Sequence, residues 1–227
     1  MIAAMLAASQ KIPDWSAIKS VFLDMDGTLL DLYFDNYFWM EHVPLRFGER
    51  HGMSKQDAFE ALLPRFRAME GTLQWYCLDH WSSELDMDIV ELKREVEHLI
   101  QVLPHAEEFL QKLRGLGKRV VLVTNAHADA LTLKMGRTKL DGYFDRIVSS
   151  HDFGTPKETA EFWHSLQQAE PFDAATTLMV DDNLPVLRAA RDYGVKHLVA
   201  MRRPDSRRPA REITEFPSVE TLAELMP

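Results

Sequence analysis

The chain has one cysteine in 227 residues, Cys77. One thiol cannot close an internal disulfide, so a reducing compartment, the cytoplasm, is the natural reading, and Cys77 itself reads as a packed thiol. Basic residues are also short: 26 Lys and Arg face 35 Asp and Glu, a net charge of −9. That balance argues against a nucleic-acid or membrane-surface partner, and it repels an anionic substrate unless a cation intervenes. No run of residues approaches the roughly 18 to 20 apolar positions of a membrane helix. The apolar start "MIAAMLAAS" lacks the positive region that precedes a secretory signal core, so it reads as a frayed leader. Internal repeats, an H-E-x-x-H zinc pattern, a Ser/His/Asp arrangement and P-loop glycine spacing are all missing.

What is present is enough to build a large core, since 46% of residues are hydrophobic. Strand-like runs recur as "SVFLD" (20–24), "RVVLVT" (119–124), "RIVSS" (146–150), "TLMVD" (177–181) and "KHLVA" (196–200). Helical patterns with proline starts or glycine stops fill 104–117, 156–170 and 184–194. Continuous apolar strands alternating with helices predict an α/β fold with a parallel sheet covered on both faces, whose sites form beyond the carboxyl ends of the strands. Residues 33–103 break the rhythm with helical patterns near 37–50, 54–69, 72–85 and 88–101, rich in Trp, Tyr and Phe. They read as a helical cap inserted after the first strand. This divides the chain into a core of 1–32 and 104–227 and a cap of 33–103, with the cap placed as a lid.

The first strand ends in "DMDGT", where alternation puts Asp24 and Asp26 on one side and Gly27 permits a sharp turn. Alone, such a pair is as readily a turn cap beside a solvated acid. A second pair, Asp181 and Asp182, closes "TLMVDD" just before a helix opened near Asn183 and Pro185, where one acid could be an N-cap. If both pairs meet at one sheet edge, four carboxylates repel one another unless protons or a hard cation relieve them, and oxygen ligands suit Mg2+. Thr124 and Asn125 end another strand, fit either to cradle an anion or to cap the helix of "AHADALTLKM". In "GTPKE", Thr155, Pro156 and Glu158 read as cap, first helical residue and capping-box partner, which puts Lys157 where the helix dipole disfavours a cation. A bound phosphate and nearby aspartates would compensate.

In order and spacing, "DMDGT", Thr124, Lys157 and Asp181-Asp182 resemble the four motifs of the haloacid dehalogenase-like hydrolases, over about Ser20 to Ala200. The resemblance implies a Rossmannoid parallel sheet and a magnesium-dependent phosphomonoester hydrolase that works through an aspartyl phosphate. By the same resemblance Asp24 is the nucleophile and Asp26 the general acid and base. Thr124, Asn125 and Lys157 hold the phosphoryl group. Magnesium lies on Asp24, Asp182 and the Asp26 backbone carbonyl, with Asp181 more remote. The family's dehalogenases lack an acid at the position of Asp26, so its presence favours phosphoryl transfer.

The stretches "LLDLYFDNYFWMEHVP" and "LQWYCLDHWSSELDMDI", with "VTNAH" and "FGTPKE", resemble the bacterial GMP/IMP 5'-nucleotidase branch. The implied substrate is a purine nucleoside monophosphate. Tyr33, Phe34, Tyr37, Phe38, Trp39, Trp75, Tyr76 and Trp81 offer stacking surfaces worth about 1–3 kcal/mol per base, or else form the cap's own small core. Asp35, Asn36 and Trp39 are the candidate specificity residues, the first two as partners of base or ribose. A small-sugar or glycolate phosphatase, a phosphomutase and a non-catalytic binding module are the alternatives. The arginines at 202, 203, 207, 208 and 211, interrupted by two prolines, read as a solvated loop.

Overall fold

A computed structural model describes residues 13–227; the apolar leader falls outside the described residues. Six strands form one parallel sheet: β1 (Ser20–Leu23), β2 (Arg119–Thr124), β3 (Arg146–Ser149), β4 (Thr177–Asp181), β5 (His197–Met201) and β6 (Ser218–Val219). Their order in space is β3-β2-β1-β4-β5-β6. All five longer runs expected to be strands are strands; β6 is two residues long and carries no periodic signal of its own. The chain winds outward from β1 through β2 to β3, then returns to lay β4 on the other side of β1. The order reverses between β1 and β4, and such a switch point opens a crevice at the strands' carboxyl ends.

Strand alternation sorts the core into two layers. Val21, Leu23, Val120, Leu122, Leu178 and Val180 face one side. Phe22, Val121, Val123 and Met179 face the other.

Between β1 and β2 run α1 (Tyr33–Tyr37), a π-helical turn (Phe38–His42), α2 (Val43–His51), α3 (Lys55–Met69), α4 (Leu73–Tyr76), α5 (Leu78–Leu85), α6 (Ile89–Glu95) and α7 (Ala106–Gly115). The remaining α-helices among the described residues are α8 (Ala128–Thr138), α9 (Ala160–Ala169) and α10 (Leu184–Tyr193). Helices α7 and α8 cover the first face through Phe109, Leu113 and Met135, and α9 and α10 cover the second through Phe162, Trp163 and Leu187. Helices α3 and α6 begin at Ser54 and Asp88, whose side chains accept from the backbone N–H three residues on.

The aromatic residues of the insert join the first layer: Phe34, Phe38, Phe66 and Trp81 are buried in it, with Trp39 and Trp75 packed against them. The insert's aromatics therefore extend the hydrophobic layer on this face of the sheet, and only those at the cleft edge remain to meet a ligand.

Two local expectations are corrected. "GTPKE" does not open a helix: α9 starts at Ala160, capped by Thr159, whose side chain accepts from Phe162 N–H. Lys157 therefore lies in the turn before the helix, and the helix-dipole argument for it lapses. Neither Thr124 nor Asn125 caps α8, because the chain runs on to His127 before the helix begins.

The arginine-rich loop between β5 and β6 is not simply solvated. Its Asp205 is buried, the Arg207 guanidinium lies 3.7 Å from the centre of the Tyr33 ring, and Arg211 donates to the backbone carbonyls of Met201 and Asp182. Among the described residues no helix is long and apolar enough to cross a membrane.

Candidate active site

Three strand ends deliver the first side chains. The Asp24 amide donates to the Val180 carbonyl and so extends the β1–β4 ladder by one residue, which sets Asp24 beside Asp181. After Asp24 the chain turns tightly, with Gly27 at φ +88° and the Leu29 and Leu30 amides both donating to the Met25 carbonyl. A Cβ on Gly27 would lie 2.8 Å from Asp182 Cγ and from Pro204 Cβ, so the turn needs glycine for its close approach as well as for its backbone angle.

Lys157 ties these ends together. Its Nζ donates to Asp24 Oδ1 at 2.6 Å, Asp181 Oδ2 at 2.8 Å and the Val123 carbonyl at 3.0 Å, with the side chain only 2% exposed. Burial pulls its pKa down, but Asp181 and Asp24 more than offset that and hold it above the ordinary lysine value. The turn carrying it is anchored by Asn125, whose Oδ1 accepts from Lys157 N–H. Thr124 Oγ1 accepts from Ala126 N–H, which fixes the loop after β2.

Carboxylate oxygens of Asp24, Asp181 and Asp182 lie within 4.8 Å of one another. Asp181 is the most engaged, because its other oxygen accepts from Asn183 N–H; Asp182 has the Arg211 guanidinium 3.6 Å away. Desolvation, with Lys157 opposing and Asp181 adding repulsion, pushes Asp24 up to about 7. Burial, then Asp181 and Asp24, drive Asp182 well above the carboxylate range, and burial raises Asp181. Three acids around one ammonium leave two negative charges unbalanced when all are ionised, with Arg211 as a partial, half-exposed counterweight. An all-oxygen donor set short by two positive charges fits a hard divalent cation such as Mg2+.

A second lysine, which the sequence reading did not single out, organises the other half of the site. Lys134 on α8 donates to Asp26 Oδ1 at 2.6 Å and to Asp35 Oδ2 at 2.7 Å, and Lys93 on α6 donates to Asp35 Oδ1 at 2.8 Å. Lys93 Nζ also sits 4.8 and 4.3 Å from the Phe34 and Phe38 ring centres, a cation–π cradle for a buried charge. Both oxygens of Asp35 are thus committed to lysines. Burial raises its pKa, yet Lys134 and Lys93 prevail and hold it well below the usual value. Asp26 is pushed up to about 6 by desolvation, against Lys134 and with Asp35 and Asp24 adding to the rise.

Glu158 links the helical insert to the loops at the strand ends. It accepts from Tyr76 Oη at 2.8 Å, from Asn125 Nδ2 at 2.9 Å and from Asn183 Nδ2 at 3.0 Å.

The aspartates and lysines of both networks line a cavity of about 500 Å³ together with Tyr76, Trp39, Trp75 and Arg211. All ten residues singled out for chemistry or specificity border it: Asp24, Asp26, Asp35, Asn36, Trp39, Thr124, Asn125, Lys157, Asp181 and Asp182. Asn36 donates to Asp205 Oδ2 at 2.7 Å, and Trp39 packs edge-on against Phe38 and Phe66.

A parallel sheet carrying an acid pair, a buried lysine and a second acid pair at its switch point defines a class of hydrolase. The chain matches the haloacid dehalogenase-like hydrolases over residues 18–194 and belongs to that family. It is 38% identical over 213 residues to the GMP/IMP nucleotidase YrfG of Escherichia coli K12, an alignment spanning 94% of this chain and 96% of the relative. It is 25% identical over 181 residues to the pyrimidine 5'-nucleotidase YjjG of the same organism, covering 74% of this chain and 77% of that one. Among solved structures, a phosphatase of this family from Thermococcus onnurineus superimposes with a TM-score of 0.77 at 24% identity, over 92% of this chain and 96% of that one.

Proposed function

We propose that the chain is a magnesium-dependent 5'-nucleotidase that releases phosphate from purine nucleoside monophosphates, GMP and IMP foremost, through an aspartyl phosphate on Asp24. One observation carries the substrate: the relative of 38% identity that aligns over nearly the whole chain is a GMP/IMP nucleotidase. The site supports the chemistry. Asp24 points into the cavity with one oxygen held by Lys157 and the other available to attack phosphorus, in line with the departing O5' of the ribose.

Mg2+ held by Asp24, Asp182 and the Asp26 carbonyl, with Asp181 behind them, would neutralise phosphoryl oxygens and favour the ionised form of Asp24. Lys157, Thr124 and Asn125 steady the remaining oxygens through an ammonium, a hydroxyl and an amide. As the P–O5' bond breaks, protonated Asp26 delivers its proton to O5', and the nucleoside leaves neutral. Asp26 then takes a proton from the water that attacks phosphorus, the Asp24–phosphorus bond breaks, and free phosphate departs.

Lys134 holds the Asp26 carboxyl in place for both transfers. Asp35 serves by gripping Lys134 and Lys93, while Asn36 keeps a carbonyl oxygen for a base N–H or ribose hydroxyl, and Trp39, Trp75 and Tyr76 supply flat faces at the cap edge. Initial rates of phosphate release from GMP, IMP, AMP, UMP and several sugar phosphates, with and without Mg2+, test the reading. Purine monophosphates should be fastest and Mg2+ required. Equal rates on sugar phosphates would reject the nucleotidase.

A further inference from the structure

Outside the carboxylate centre, a cluster of different chemistry crosses the seam between cap and core. Cys77 lies between α4 and α5 on the cap side, His127 caps α8, and His151 sits in the turn Ser150–Asp152 after β3. One ligand atom from each falls within 4.8 Å of the others. The two imidazoles meet edge to face, at 87° with ring centres 5.1 Å apart.

Among the described residues, His151 Nε2 is buried and has no hydrogen-bond partner. A buried imidazole nitrogen left unpaired is costly and calls for an explanation. Burial, and then His127, hold its pKa below the ordinary value, which keeps the ring neutral, while the Asn125 backbone hydrogen-bonds it. A ligand histidine is commonly oriented by such a bond to its other nitrogen. Asp79 Oδ2 lies 3.6 Å from His127 Nε2 at the exposed edge of the cluster, grouped with His127 and Asp129 rather than with Cys77 and His151.

The geometry points to a second metal site at Cys77, His127 and His151, selective for a borderline-soft divalent ion of the Zn2+ type, which when filled fastens the cap to the core. One thiolate and two imidazoles make a sulfur-and-nitrogen donor set that suits Zn2+ and not Mg2+, whereas the all-oxygen cluster at Asp24 has the opposite preference. Binding releases the Cys77 S–H proton as the S–metal bond forms. Because Cys77 is flanked by Tyr76 and Leu78, both lining the cavity, an ion there holds down the cap edge over the substrate.

Ion binding does not depend on the nucleotidase reading; its effect on turnover does, so the two are measured separately. Cys77 is the chain's one thiol, and its alkylation by iodoacetamide reports on the site without any mutation. With Mg2+ saturating, stoichiometric Zn2+ should slow alkylation at least about tenfold, and Co2+ should give a thiolate-to-metal charge-transfer band that one equivalent of Zn2+ erases. Cys77→Ser should abolish the band, and His151→Gln should weaken Co2+ binding about 10- to 100-fold. No protection of the thiol, or no thiolate band in the native chain, overturns the site. Zn2+ should also slow phosphate release several-fold in the native enzyme and not in Cys77→Ser; a protected thiol with unchanged turnover overturns the fastening of the cap.

Discussion

Two buried lysines, Lys157 and Lys134, each bridge a pair of aspartates in this cleft, yet their networks differ in charge and in reach. Around Lys157 stand Asp24, Asp181 and Asp182, three acids to one ammonium and all from the core. Around Lys134 stand Asp26 and Asp35, with Lys93 as a second cation, two acids to two ammoniums, reaching from α8 to α6 of the helical insert. The first network is left in electrostatic conflict and all its acids are raised; in the second, Asp35, gripped by both lysines, is held well below its usual value, and only Asp26, with Lys134 alone, is raised by burial. An unbalanced cluster is suited to receive a dication and then act. A balanced one is suited to hold its members still.

The largest test of that contrast is Asp24→Asn. Turnover should fall by about three orders of magnitude or more, while the melting temperature of the metal-free protein stays level or rises, because a strained charge has been removed. A clear loss of stability would place Asp24 among structural ion pairs instead.

Asp35→Asn should do the reverse in kind. Breaking a paired buried charge leaves Lys93 and Lys134 under-compensated and costs about 3–5 kcal/mol in denaturant unfolding. Lys134→Met should lower kcat about 100-fold with little change in KM, since Asp26 would no longer be held for proton transfer; an equal rise in KM would assign Lys134 to substrate binding.

The response of stability to pH sharpens the comparison further. Asp24 and Asp26 have folded-state values of about 7 and 6 against 3.8 for the ordinary carboxyl, so the native protein keeps protons that the unfolded chain has released. Their contribution to stability is full below the ordinary value and is lost as pH rises through those two values. Mg2+ on the Asp24 carboxylate displaces the proton held there, so its increase in melting temperature should be largest above about pH 7 and shrink toward about pH 5. Asp35, with its lowered value, keeps its contribution across that window and loses it only as pH falls below the ordinary carboxyl value. The smallest effect is expected at the latch: Tyr76→Phe removes one hydrogen bond to Glu158, worth about 1 kcal/mol, and should raise KM a few-fold.

The two networks were also unequally legible in the sequence. Asp24, Asp26, Lys157 and the pair at 181 and 182 stand at strand ends, where a polar residue interrupts an apolar run, and the period of a strand fixes which way each points. Lys134 and Lys93 carry a weaker mark. Each lies four residues after a buried apolar residue, Ala130 and Ile89, and so falls in phase with the buried stripe of its helix. A lysine on that stripe was visible, but not that Asp35, remote in sequence, supplies its counter-charge. In the sequence Glu158 reads as a capping partner, a local pattern, whereas in the fold it joins Tyr76, Asn125 and Asn183, which come from three other segments. The sheet was readable for the converse reason, since its five longer strands are continuous apolar runs. Strand β6, at two residues, is defined by pairing with β5 alone.

The most direct test is to mix the Mg2+-loaded enzyme with radiolabelled GMP, quench in acid within a single turnover, and map the labelled peptide. The account predicts phosphate attached to Asp24 and no label in Asp24→Asn. Phosphate released during that turnover with no labelled protein at any time point, or label on another residue, would contradict it.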